Sequence, residues 1–119
     1  MTPFGKAVRH LRIEREMLLG QMADCLGITS AYASQIETGK RPIPAGYVER
    51  IINLYQLDAE QAQGLRNEAI QSTNTFNINI PADAQRADRV LASELATEFA
   101  RLTPEAKSRI LKIVKGEGK

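Results

Sequence analysis

Residues 27–41 read GITSAYASQIETGKR. A Gly-Ile-Thr turn comes first, then a short helical pattern, then a glycine and two basic residues. Gly27 suits the left-handed position that closes a preceding helix. Thr29 carries the side-chain oxygen that caps a following one. Gly39 stops that helix, and the "RPIP" that follows excludes helix at Arg41 and Ile43, the residues before Pro42 and Pro44. The predicted helix therefore runs from Ser30 to about Thr38. Ala33 and Ile36 fall on its inward side. Ser30, Ala31, Ser34 and Gln35 fall on the outward side, where every side chain is short or ends in an amide. A face that bare suits close approach to another surface.

Upstream, Leu19 to Leu26 makes a short helix with Met22, Ala23 and Leu26 inward. Before it, Thr2-Pro3 is a helix start, since threonine caps and proline tolerates the first helical position. Phe4, Ala7, Val8 and Leu11 then recur at helical spacing, which carries that helix to about Glu16. Downstream, Val48, Ile51, Ile52 and Tyr55 give a helix from about Gly46 to Tyr55. Another starts near the capping Asp58 and ends around Ile70. At Ser72 the character changes. In "STNTFNINIPAD" Phe76, Ile78 and Ile80 alternate with Asn77 and Asn79, which is strand spacing. A lone strand leaves its backbone hydrogen bonds unmade. No second strand of similar quality follows, so its expected partner is the same strand of a second copy. Ala84, Ala87, Leu91, Leu95, Phe99 and Leu102 then form an amphipathic stripe. Thr103-Pro104-Glu105 opens a last helix with Ile110, Leu111, Ile113 and Val114 on its apolar side. "GEGK" reads as a frayed end.

The expected architecture is mainly α: five helices in a domain of residues 1–71, then a short β-strand and two helices in a region of residues 72–119. The chain is 119 residues long, 43% hydrophobic and 25% charged, which places it among globular chains. No apolar run approaches the roughly 20 residues of a membrane span. The first ten residues lack an apolar signal core, and the single cysteine excludes an internal disulfide and a cysteine zinc site. A cytoplasmic protein is expected. Residues 1–41 carry six cations against four acids, and residues 42–70 carry two against four. The slight basic excess thus lies with the quoted stretch. His10, the only histidine, sits mid-helix on the surface, and Cys25 is expected to be inert and partly buried. No Gly-rich phosphate loop or Ser/His/Asp set occurs, so neither catalysis nor a metal or cofactor is expected.

Two short helices joined by a turn at Gly27 form helix-turn-helix geometry, whose second helix enters the DNA major groove. Glutamine contacts adenine in bidentate fashion, serine bonds to several bases, and alanine touches a thymine methyl. Lys40 and Arg41 follow, where phosphates would pass the helix end. Residues 4–57 resemble the lambda-repressor-like (Xre/Cro) helix-turn-helix family, through "FGKAVRHLR", "MADCLGITSAYASQIETGKRPIP" and "YVERIINLYQL". Ala23, Gly27, Ile28, Ile36, Glu37 and Gly39 stand where that family places them. The resemblance implies the five-helix fold and double-stranded DNA as partner. It implies base reading by Ser30, Ala31, Ser34 and Gln35, and backbone contact by Thr29, Tyr32, Lys40 and Arg41. It also implies a buried ion pair between Arg12 and Glu37. The family usually opens its second helix with a polar cap and a glutamine. Leu18 and Leu19 stand there instead, which leaves Gln21 or free backbone N–H groups for that phosphate.

The functional expectation is a sequence-specific transcriptional regulator, a repressor acting as a homodimer on a palindromic operator. Phe76, Ile78, Ile80, Leu91, Leu95 and Phe99 are the expected dimer residues. The alternative is an antitoxin-type protein whose residues 73–119 bind a protein partner while the N-terminal domain represses their common promoter.

Overall fold

A computed structural model describes residues 1–117. Its residues fall into two compact units, the first Met1–Phe76 and the second beginning at Asn77. The first holds α1 (Pro3–Glu14), α2 (Leu19–Leu26), α3 (Ser30–Thr38), α4 (Tyr47–Leu54) and α5 (Ala59–Gln71). The second holds α6 (Arg86–Glu98), a 3-10 turn (Phe99–Arg101) and α7 (Pro104–Val114).

Local chemistry sets these ends. The Thr2 hydroxyl accepts from the Gly5 N–H at 3.0 Å, with Pro3 opening α1. Asp58 accepts from the Gln61 N–H at 2.8 Å, while the Gln61 amide oxygen accepts from the Asp58 N–H at 3.3 Å. The two groups thus satisfy each other's donors at the start of α5. Thr103 accepts from the Ala106 N–H at 3.1 Å and starts α7.

The core of the first unit forms where the apolar stripes of the five helices converge. Phe4, Val8, Met22, Ile36 and Ile51 are its largest fully buried side chains. Phe4 and Tyr47 meet edge to face with ring centroids 6.2 Å apart, a favoured arrangement of aromatic quadrupoles. The Tyr47 hydroxyl is buried without a hydrogen-bond partner among the described residues. Burial, reinforced by the nearby Glu37 carboxylate, pushes its pKa up to about 12.

One approach is closer than any side chain allows. Gly5 on α1 packs against the Glu37 carbonyl on α3, where an added Cβ would overlap that oxygen. The same carbonyl accepts from the Thr2 N–H at 3.1 Å and from the Thr2 hydroxyl at 3.2 Å. The start of α1 is thereby latched to the end of α3.

The expected β-strand does not form. Residues 73–81 are irregular, and no strand occurs among the described residues. The alternation in "TFNINI" is real, but a strand exists only through a ladder with another strand, and one copy of this chain supplies none. Phe76 and Ile78 are exposed rather than set on a covered sheet face, and Ile80 is half-buried. No residue of α6, the 3-10 turn or α7 is fully buried. Leu95, Phe99, Leu102, Ile110, Leu111 and Val114 of this unit line one apolar groove, with the Lys107 ammonium 4.6 Å from the Phe99 ring centroid. The α7 helix closes through Gly116, in the left-handed conformation, with the Glu117 N–H on the Lys112 carbonyl at 2.7 Å. The last two residues of the "GEGK" ending lie outside the described residues. No described helix is long and apolar enough to cross a membrane.

Candidate nucleic-acid interface

The turn between α2 and α3 follows from three residues. Gly27 adopts φ 70° and ψ 30°, a left-handed conformation that costs a glycine little. Its N–H donates to the Asp24 carbonyl at 3.1 Å, and the Ile28 N–H donates to the Ala23 carbonyl at 3.0 Å. These crossed bonds are a Schellman closure. Ile28 packs against the core. The Thr29 hydroxyl then accepts from the Tyr32 N–H at 3.0 Å and starts α3. Its own proton stays available to an outside acceptor. Arg50 donates to the Leu26 carbonyl, adding a cation to the negative end of α2.

Helix α3 is anchored from behind. Ala33 and Ile36 are fully buried in the core. Arg12 and Glu37 form a bidentate ion pair: Arg12 Nη1 lies 3.2 Å from Glu37 Oε2, and Nη2 lies 3.3 Å from Oε1. Their side chains are only 9% and 3% exposed. Burial raises the Glu37 pKa above 4.5, against the pull of Arg12 and, more weakly, Arg9. Both nitrogens of the guanidinium fork are engaged, which fixes the angle between α1 and α3.

Fixing that side leaves the other free. Ser30 and Ala31 are exposed, and Ser34 and Gln35 are half-buried. Residues i and i+4 share a helix face, so Ser30 with Ser34, and Ala31 with Gln35, form two adjacent rows. Thr29, Lys40 and Arg41 are exposed at the two ends of α3, and Tyr32 is half-buried. Gln21 is exposed on α2, where its amide oxygen accepts from the Leu18 N–H at 2.7 Å. Leu18 has no side-chain acceptor to return the bond, and it is 72% exposed. The Gln21 NH2 group remains to donate outward. Leu91 and Phe99 are exposed and Leu95 half-buried, all in the second unit.

Some features had little or no signal in the sequence. Gly5 reads as a weak point in a helix, and only the packing of α1 on α3 shows why a glycine stands there. Gln35 and Arg41, six residues apart, are hydrogen-bonded through their side chains, Arg41 Nε to Gln35 Oε1 at 3.1 Å. Cys25, expected to be partly buried, is exposed, because Met22, Ala23 and Leu26 take the inward positions of α2.

Comparison with known proteins supports this anatomy. A family model described as a helix-turn-helix domain matches residues 3–65. A 44-residue stretch is 48% identical to the uncharacterized HTH-type transcriptional regulator RghRB of Bacillus subtilis (strain 168), covering 37% of this chain and 32% of that protein. The HTH-type transcriptional repressor RghR of the same organism is 43% identical over 44 residues, covering 37% of this chain and 33% of its own length. The similarity thus spans about a third of these curated relatives. No solved structure matches. With more than half its length matched by the family model, the chain belongs to the helix-turn-helix domain family.

Proposed function

We propose that this protein is a DNA-binding transcriptional regulator that reads sequence by placing α3 in the major groove. The observation that carries the reading is the bare face of Ser30, Ala31, Ser34 and Gln35, on a helix held rigidly from behind. Rigid presentation matters because base edges discriminate through hydrogen bonds that tolerate little misplacement. Thr29, Lys40 and Arg41 flank that face with donors suited to phosphate oxygens, as do Tyr32 and the free NH2 group of Gln21.

The proposal extends to a homodimeric repressor of a palindromic operator. One short helix makes few base contacts, and two copies read two half-sites about 34 Å apart. In the second unit Leu91, Phe99, Leu111, Ile113 and Val114 are each more than half exposed. Apolar surface of that kind calls for a cover, and with Leu95, and with Phe76, Ile78 and Ile80 of the preceding segment, it is the proposed contact with a second copy. One relative is named as a repressor.

The test is selection of bound sites from a random duplex library with the purified full chain. Enrichment of a two-fold symmetric site, with the base preference at a position in each half relaxed by Gln35→Ala or Ser34→Ala, supports the reading. Failure to enrich any sequence overturns DNA readout. Enrichment of a single asymmetric half-site overturns the dimer.

A further inference from the structure

Gln35 and Arg41 are joined twice. The Arg41 N–H donates to the Gln35 carbonyl at 3.1 Å, and Arg41 Nε donates to the Gln35 side-chain oxygen at 3.1 Å. The Arg41 backbone is itself constrained. Gly39 turns the chain at φ 84°, and Arg41 lies at a bend where the following Pro42 disfavours helical backbone. The two bonds hold the Arg41 guanidinium beside the Gln35 amide, at the C-terminal end of α3.

Resting on the reading of α3 as the base-reading helix, we propose that Arg41 is a positioning residue for sequence readout: it sets which end of the Gln35 amide faces the base. A free glutamine amide presents oxygen and NH2 interchangeably by rotating about its last bond. Arginine has donors only, so the end facing Arg41 Nε must be the oxygen, and the NH2 points away from it. One lone pair of that oxygen is used and one remains. The remaining pattern, one acceptor beside one donor, complements the N6 donor and N7 acceptor of adenine. It does not complement guanine, whose O6 and N7 are both acceptors. With the amide free to rotate, that discrimination weakens. The leading glutamine of α2 that the family usually has is absent, and residues 18 and 19 are leucines. The brace on Gln35 comes from beyond the C-terminal end of α3.

The proposal separates two roles that a phosphate contact alone would merge. Site selection and competition binding would be run with the full chain and with Lys40→Ala, Arg41→Ala, Arg41→Lys and Gln35→Ala. Lys40→Ala should lower affinity evenly across sequences. Gln35→Ala should relax one base-pair position in each half-site. Arg41→Ala should relax that same position by about 2–12-fold, the ratio one net hydrogen bond supports. Arg41→Lys keeps the charge but not the fixed Nε–H, so it should preserve the salt dependence and still relax that position. If both Arg41 variants keep the wild-type base preference while Gln35→Ala relaxes it, Arg41 only holds phosphate and the proposal fails, with α3 readout intact. If Gln35→Ala leaves every position unchanged, Gln35 does not read bases and the proposal fails; if no sequence is enriched by the unaltered chain, α3 readout falls with it. Because Arg41 is exposed, unchanged thermal melting of its variants excludes unfolding as the cause.

Discussion

Removing Arg12 tests whether the buried ion pair holds α3 in place. The guanidinium makes three contacts of 3.2–3.5 Å with Glu37, and the carboxylate is 3% exposed. Arg12→Ala leaves that charge buried with only the weaker field of Arg9 to offset it. Breaking one partner of such a pair costs roughly 3–5 kcal/mol. A 76-residue unit has a total stability of about 4–11 kcal/mol at typical values per residue, so the loss is a large fraction of the whole. At roughly 4–8 °C per kcal/mol for a domain of this size, melting should fall by at least about 12 °C. The pH dependence has a definite sign. Burial already raises the Glu37 pKa above 4.5, and losing Arg12 raises it further. A raised carboxyl contributes stability that is complete below the unfolded value and lost as pH rises through the folded one. The deficit of Arg12→Ala against wild type should therefore be large at neutral pH and shrink as pH falls toward 4.5. Urea unfolding followed by circular dichroism at two pH values measures both quantities. Replacing both partners, Arg12→Met with Glu37→Leu, should recover most of the loss, since neither charge is then stranded. A deficit under about 1 kcal/mol at neutral pH, or one independent of pH, would refute the reasoning.

Four further outcomes are expected. Gly5→Ala should destabilise by about 1–3 kcal/mol or more, as overpacking does, because its methyl group meets the Glu37 carbonyl; an unchanged denaturation midpoint would contradict that packing. Gly64→Ala on α5 meets nothing nearby and should instead stabilise by about 0.4–1 kcal/mol, which calorimetry resolves. Tyr47→Phe removes a buried, unpartnered hydroxyl, so stability should stay level or rise by up to about 1–3 kcal/mol; a clear loss in chemical denaturation would mean the hydroxyl has a partner. Lys40→Ala should weaken binding on all DNA sequences and flatten the slope of log affinity against log salt by about one unit, and an unaltered slope would remove Lys40 from the interface.

The helices around the turn were legible because their signals are local. Gly27, Thr29 and Gly39 act within one turn of chain, through bonds to residues three to five positions away, so α2 and α3 can be read from adjacent letters. The outward face of α3 was legible for a related reason: helical periodicity places Ala33 and Ile36 on one side and leaves Ser30, Ala31, Ser34 and Gln35 on the other. The segment from Phe76 to Ile80 shows where this stops. Its alternation is as regular as that of any strand, yet a strand is a relation between two segments, and alternation describes only one. Gly5 is legible as a glycine, but not as the point where α1 touches the Glu37 carbonyl, because that contact spans 32 positions of sequence. The Arg41–Gln35 bond depends on how the chain turns after Gly39, which side-chain spacing on a helix does not describe. Local chemistry thus determined where helices begin and end and which face each one hides. Tertiary packing decided which backbones come within reach of one another, because that reach depends on the sum of several helix angles, each set by contacts distant in sequence.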